Sequence, residues 1–210
     1  MTIDRAGWPF VAAAALPAAI AAVAGAFKAA VVLLVLPVAI ALFFRDPDRA
    51  TAADRTAVLA PADGRVMFAG AAPSEGAPAG AWRQITIFLS LFDVHINRTP
   101  VAGRVTRVDY VPGSFVPANR PGAARNEHSE IWIDHDGQTI VTRQVVGVLA
   151  RRVVCRVRSG DDLTPGARIG LMKFGSRMDV FVPRSAELTV AVGDTVRGGE
   201  TVIARLAAGD

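Results

Sequence analysis

A glycine followed by a serine, Gly175-Ser176, lies between two short runs rich in apolar residues and offers the chain a means of cutting itself. A serine hydroxyl can attack the preceding carbonyl, and glycine, which has no side chain, lets the nucleophile and the backbone approach closely. Most Gly-Ser pairs are simply turns. The dipeptide therefore predicts a self-cleaving bond only if other residues supply the remaining chemistry.

The first candidate for a base is His95, which follows Asp93 by two residues. If this run is a strand, both side chains point to the same face. A carboxylate there would orient the imidazole and stabilise its charged form, as a general base requires. The alternative is a surface Asp-X-His pair at the end of a strand.

The other two histidines lie among polar residues. His128 follows Asn126-Glu127 and is predicted to lie in a loop that could border a site, whereas His135 belongs to a tight-turn sequence and is predicted to be a solvated hairpin tip. One cysteine and three dispersed histidines have no metal-ligand spacing, so no metal site is expected. No phosphate loop or dinucleotide fingerprint occurs.

From residue 57 onward, short β-branched runs alternate with Gly, Pro, Asn and Asp, and helical periodicity is almost absent. This pattern predicts a mainly β fold, an antiparallel sandwich or distorted barrel. Residues 71–80 are expected to form a loop. Residues 192–204 resemble the C-terminal hairpin of biotinyl and lipoyl domains, but no lysine follows Lys173 to be modified.

The front of the chain is strongly apolar, since residues 6–27 and 29–44 carry no charge and only Lys28 separates them. The first stretch could span a bilayer, and the second, about 24 Å long as a helix, is shorter than the ~30 Å hydrocarbon core. A membrane hairpin is favoured over a cleaved signal peptide, which would need a positive start, and over a buried helical pair. The expected domains are a membrane-associated segment of one or two helices (1–44), a linker (45–56) and a catalytic domain (57–210).

The overall charge is mildly positive, with 23 Lys+Arg against 19 Asp+Glu. Such a balance suits an anionic membrane surface, and no basic-aromatic motif indicates nucleic acid. The single Cys155 excludes a disulfide framework and is expected to be a core thiol in a reducing compartment.

Several segments taken in order resemble the phosphatidylserine decarboxylase family, in its short, archaeal-like bacterial form, over about residues 40 to 205. The matching segments are Phe43–Pro47, Ala60–Val66, Asp93–Arg98 with Pro100 and Gly103, Tyr110–Gly113, Asn126-Glu127, Gly147–Arg152 and Phe174–Arg177.

The resemblance implies a proenzyme that cuts itself between Gly175 and Ser176. The β chain would then be 1–175 and the α chain 176–210, and the two would stay associated. Ser176 would become a covalent pyruvoyl group, which forms a Schiff base with the substrate amine and accepts electrons as carbon dioxide leaves. Asp93 and His95 match the motif that supplies the base.

Long forms of the family carry a further histidine after the Tyr-X-Pro-Gly segment, and residues 114–119 lack one here. Either His95 serves both self-cleavage and decarboxylation, or His128 serves one of these two steps.

The expected activity is conversion of phosphatidylserine to phosphatidylethanolamine at the cytoplasmic face of the cell membrane. The alternatives are a pyruvoyl decarboxylase with another amino-acid substrate, or a non-enzymatic membrane-anchored β binding module. Arg98, Arg120, Arg125 and Lys173 are candidate phosphate ligands by charge alone, and the sequence does not decide whether the chain is a homo-oligomer.

Overall fold

A computed structural model describes residues 1–51, 54–73, 76–148, 153–173 and 176–207. Gly175, one half of the expected scissile bond, lies outside this described part, as do residues 149–152. The chain divides into two compact units, Met1–Asp48 and Arg49–Asp210.

The first unit is helical, with three helices, α1 (Trp8–Val23), α2 (Phe27–Leu33) and α3 (Val35–Phe43). The strands β1 (Thr2–Ile3) and β2 (Arg45–Asp46) pair antiparallel and bring the two ends of the unit together. The sequence predicted one or two helices, and the chain has a third because it turns at Leu34, between α2 and α3. Among the described helices, none is long and apolar enough to cross a membrane.

Apolar side chains cover the outside of this helical unit. Val23 is 91% exposed, and Phe27 and Val32 are each 70% exposed. Large apolar side chains at such exposure are unusual for a surface in water, where contiguous patches of this kind mark interaction sites.

The second unit is built almost entirely of strands, as predicted. They are β3 (Ala57–Leu59), β4 (Gly64–Ala71), β5 (Trp82–Leu89), β6 (Ile96–Arg98), β7 (Gly103–Val111), β8 (His128–His135), β9 (Gln138–Val145), β10 (Val153–Cys155), β11 (Asp162–Leu163), β12 (Arg168–Met172), β13 (Ser176–Pro183), β14 (Glu187–Leu188), β15 (Thr195–Val196) and β16 (Val202–Arg205). A short 3-10 helix covers Pro121–Arg125.

Eight of these strands form one curled antiparallel half-barrel, in the order β11-β7-β8-β9-β13-β5-β4-β15. Two three-stranded sheets, β10-β12-β6 and β14-β16-β3, complete the unit. The apolar core includes side chains from the large sheet and from both small ones, such as Ile87, Ile131, Ile169, Val180 and Ile203.

The large sheet has two chemically different faces because side chains alternate along a strand. In β13, Met178 and Val180 point into the apolar core, and Arg177 and Asp179 point to the other face. We call these the core face and the outer face. Partners in register share a face, so the assignment extends from β13 to its neighbours β5 and β9.

Two local predictions have different outcomes. The tight turn after His135 is confirmed, since Asp136 and Gly137 both have positive φ, 50° and 81°, as a two-residue hairpin turn requires. The predicted hairpin over residues 192–204 is wrong, because its two strands pair with different partners: β15 with β4, and β16 with β3 and β14.

Candidate active site

Ser176 is the first residue of the central strand β13 and is fully buried. It lies in register with Leu89 of β5 and, by alternation with Met178, on the core face. Within the described part of the chain, Ser176 Oγ has no hydrogen-bond partner. A buried hydroxyl without a partner is costly, so such a group calls for an explanation, and a chemical role is one.

His95 lies in the segment between β5 and β6 and is also fully buried. Its Nδ1 is 2.8 Å from the backbone carbonyl oxygen of Asp93. A carbonyl only accepts, so Nδ1 carries the proton and a neutral ring has its lone pair on Nε2. The Met172 amide donates to the His95 carbonyl at 3.2 Å, and Ser176 follows four residues later.

Asp93 holds this histidine in a different way from the one predicted. Residues 90–95 form a turn and not a strand, because the Asp93 carboxylate accepts hydrogen bonds from the Ser90 amide and hydroxyl, both at 2.7 Å. The backbone oxygen of Asp93, and not the carboxylate expected to face the imidazole, receives the bond from Nδ1.

Two amide side chains that the sequence analysis did not single out bond to each other in the core. Gln144 of β9 is in register with Met178 and so lies on the core face, where its Nε2 donates to Asn97 Oδ1 at 2.8 Å. Asn97 lies in β6, two residues after His95. Asn97 lies in the matched motif, and Gln144 shares the core face of β9 with Ile140 and Thr142.

His128 lies on the outer face, away from Ser176. It opens β8, not a loop, and is in register with Val145, which is itself in register with Arg177. Its Nδ1 binds the Asn126 carbonyl at 2.8 Å. Burial lowers the pKa of His128, against the opposing effect of that carbonyl.

The outer face carries a buried ionic network. Arg177 Nε and Nη2 donate to the two carboxylate oxygens of Asp179 at 2.7 and 2.8 Å, and Thr86 Oγ1 donates to the same carboxylate at 2.7 Å. In a second pair, Arg143 Nε donates to Glu130 Oε2 at 2.5 Å. Two clefts adjoin the network, of about 410 Å³ beside His128 and about 380 Å³ beside Arg177.

The four candidate phosphate ligands differ in how far their side chains are buried. Arg98 is buried and donates to the Gly166 carbonyl at 3.1 Å, which indicates a structural role. Arg120 and Arg125 are exposed and line the clefts beside Arg177 and His128 respectively. Lys173 is half-buried, three residues before Ser176.

His135 is buried, so the prediction of a solvated tip is wrong. Its two ring nitrogens each lie 2.8 Å from a backbone carbonyl oxygen, of Ala102 and of Arg55. It therefore ties the hairpin to two other segments and takes no part in the site. No metal-ligating cluster occurs in the part of the chain that the structure describes.

The chain is similar to one family of known proteins over most of its length. Residues 38–204 match the family described as phosphatidylserine decarboxylase. Proteins named phosphatidylserine decarboxylase proenzyme from Burkholderia mallei and Burkholderia pseudomallei are each 40% identical over 206 residues, which cover 97% of this chain and 95% of theirs. A protein of the same name from Burkholderia multivorans is 39% identical, with 97% and 96% covered. The chain therefore belongs to the phosphatidylserine decarboxylase family.

Proposed function

We propose that this chain is a self-processing enzyme that converts phosphatidylserine to phosphatidylethanolamine and carbon dioxide, with a pyruvoyl group made from Ser176. The observation that carries the proposal is the fully buried Ser176 hydroxyl, which has no hydrogen-bond partner among the described residues and opens a central strand. The relatives named as proenzymes support self-processing.

In the first step, Ser176 Oγ attacks the Gly175 carbonyl carbon. The Oγ–C bond forms, the C–N bond between the two residues breaks, and the hydroxyl proton passes through His95 Nε2 to the freed nitrogen. The geometry favours His95 for this task because it is fully buried and its Nδ1 bond to the Asp93 carbonyl places the N–H on Nδ1, which makes Nε2 the nitrogen that would accept a proton.

The resulting ester then loses the Ser176 α-hydrogen and expels the Gly175 carboxylate. The dehydroalanine left behind adds water and releases ammonia, which makes the pyruvoyl end of the α chain. That group supplies a carbonyl that binds the substrate amine and an adjacent amide that accepts electrons as carbon dioxide leaves.

After cleavage, the new α chain must keep its first residue in place. We infer that the Arg177–Asp179–Thr86 contacts do this, because they fix the second and fourth residues of that chain to the sheet. Pairing of β13 with β5 on one side and β9 on the other adds to the hold.

The first unit is proposed to associate with the cell membrane, with the catalytic unit on the cytoplasmic side. Its exposed apolar helices match a lipid environment, and helices of this kind can lie within the interfacial region. Co-flotation with vesicles that contain phosphatidylserine tests this. The paired substitutions Val32→Glu and Leu36→Glu should abolish co-flotation, and unchanged co-flotation would contradict it.

A denaturing gel and the mass of the C-terminal fragment test self-processing. Wild-type protein should appear as two pieces split after Gly175, the smaller one with a pyruvoyl end and no free amino terminus. Ser176→Ala should stay whole and inactive, and Ser129→Ala, which alters another buried serine on the core face, should be processed. An intact wild-type chain with an ordinary Ser176 would refute the proposal.

Substrate choice is tested with the processed protein. Vesicles of phosphatidylserine should release carbon dioxide and accumulate phosphatidylethanolamine. Free serine, supplied at the same concentration, should give no release. Preference for the free amino acid would favour the alternative activity.

A further inference from the structure

The amide pair Asn97–Gln144 is incompletely satisfied. Both side chains are fully buried. Their shared bond of 2.8 Å runs from Gln144 Nε2 to Asn97 Oδ1, and the other two polar atoms, Asn97 Nδ2 and Gln144 Oε1, have no hydrogen-bond partner among the described residues. The pair thus leaves a donor group, the NH2 of Asn97, and an acceptor, the oxygen of Gln144, unpaired inside the core.

The register places Gln144 close to Ser176. Arg177 is in register with Val145, and Met178 with Gln144, so Gln144 and Ser176 are diagonal neighbours on the core face. Diagonal neighbours on adjacent strands are about 7–8 Å apart, which a long side chain can bridge.

The fold makes room for the pair on its other side. A Cβ at Gly170 of β12 would lie 2.5 Å from Gln144 Nε2 and 2.2 Å from the Val154 carbonyl oxygen. Glycine at this position therefore lets the Gln144 amide lie against the β12 backbone, where Gly170 is in register with Asn97.

We propose that Asn97 Nδ2–H donates a hydrogen bond to the oxygen that becomes negatively charged when Ser176 attacks the preceding carbonyl, and that Gln144 holds the Asn97 amide in place. As the Oγ–C bond forms, the carbonyl π electrons move to that oxygen. They return when the C–N bond breaks. A donor aimed at developing charge in a water-free site accelerates such a step.

This inference rests on the proposed self-processing. It accounts for a donor left unpaired in the precursor, because its partner forms only in the transition state. It makes Asn97 a catalytic residue and Gln144 a positioning residue.

The test separates cleavage from folding. In the double variant Asn97→Leu/Gln144→Met, both polar partners become apolar groups of similar size, a change that can be nearly neutral for stability. The chains are made by timed cell-free synthesis, cleavage is followed on a denaturing gel, and thermal unfolding is measured on the Ser176→Ala background.

We expect cleavage about 10²–10³-fold slower with thermal stability close to that of the parent. Thr142→Val is the matched control, since it removes a buried hydroxyl on the same strand and face, and it should be cleaved at the wild-type rate. Cleavage of the double variant at the wild-type rate would overturn the inference.

If the double variant does not fold, the cleavage rate of the single variant Asn97→Asp tests the role of the Asn97 N–H instead. Its carboxylate keeps the size of the side chain and accepts the bond from Gln144 Nε2 but has no N–H to donate, so the same loss of rate is expected. Rapid cleavage of a folded Asn97→Asp chain would equally refute the role. Failure of the wild-type chain to cleave would instead refute the proposed function.

Discussion

The ion pair Arg177–Asp179 tests the idea that buried charge secures the start of the α chain. The Asp179 side chain is 2% exposed and that of Arg177 is 11% exposed, with two donor–acceptor contacts of 2.7 and 2.8 Å. Asp179→Asn keeps the size of the side chain and can still accept from Thr86. It removes the charge and leaves the guanidinium buried without a counter-ion.

Breaking a buried pair in this way costs about 3–5 kcal/mol. For a domain of roughly 150–250 residues, each kcal/mol lowers the Tm by about 2–4 °C, so the expected shift is about 6–20 °C. The measurement is thermal unfolding by circular dichroism on the Ser176→Ala background, which keeps every variant as one intact chain.

The chain offers a matched control in Arg107–Asp109, which has the same Arg-X-Asp spacing and the same 2.7 Å contact. These two side chains are 54% and 40% exposed, so water screens the pair. Asp109→Asn should cost about 0–1 kcal/mol. Equal shifts for the two variants, or a shift below about 2 °C for Asp179→Asn, would refute the reasoning.

Three further predictions concern the histidines and the cysteine. His95→Gln should slow self-cleavage about 10²–10⁴-fold by removing the base, whereas His128→Gln should leave the cleavage rate unchanged because that ring lies on the outer face. Cleavage of the pulse-labelled chains is followed on a denaturing gel. Slow cleavage of His128→Gln with normal cleavage of His95→Gln would move the role to His128. His135→Ala should lower the free energy of unfolding by about 1–3 kcal/mol, since it removes a buried side chain that contacts the backbone of two other segments; urea denaturation measures this, and an unchanged midpoint would contradict it. Burial raises the pKa of the Cys155 thiol, so less thiolate is present at any pH near neutrality. Alkylation of Cys155 by iodoacetamide should therefore be slower than that of a free thiol, with its pH profile displaced to higher pH. A pH profile like that of free cysteine would disprove this.

Much of the fold follows from local patterning. The short β-branched runs from residue 57 onward predicted a mainly β unit, and the structure contains strands there, such as β5, β7 and β9. The hairpin over residues 192–204 was wrong because turn chemistry shows where a chain reverses but not which strand it then joins. The turn at residues 90–95 was missed because the Asp93 carboxylate bonds to Ser90, a competition that periodicity does not reveal.

The sequence by itself determined the family, the Gly175-Ser176 pair and a short list of titratable groups, because these depend on residue types in a fixed order. Only the tertiary structure decided which of them share a space. His128 and Ser176 occupy opposite faces of one sheet, a relation set by strand register. Asn97 and Gln144 are 47 residues apart in the chain and meet only because β6 and β9 belong to different sheets that enclose the same core. Long-range pairing of this kind is fixed by burial of the whole core, and no local pattern carries it.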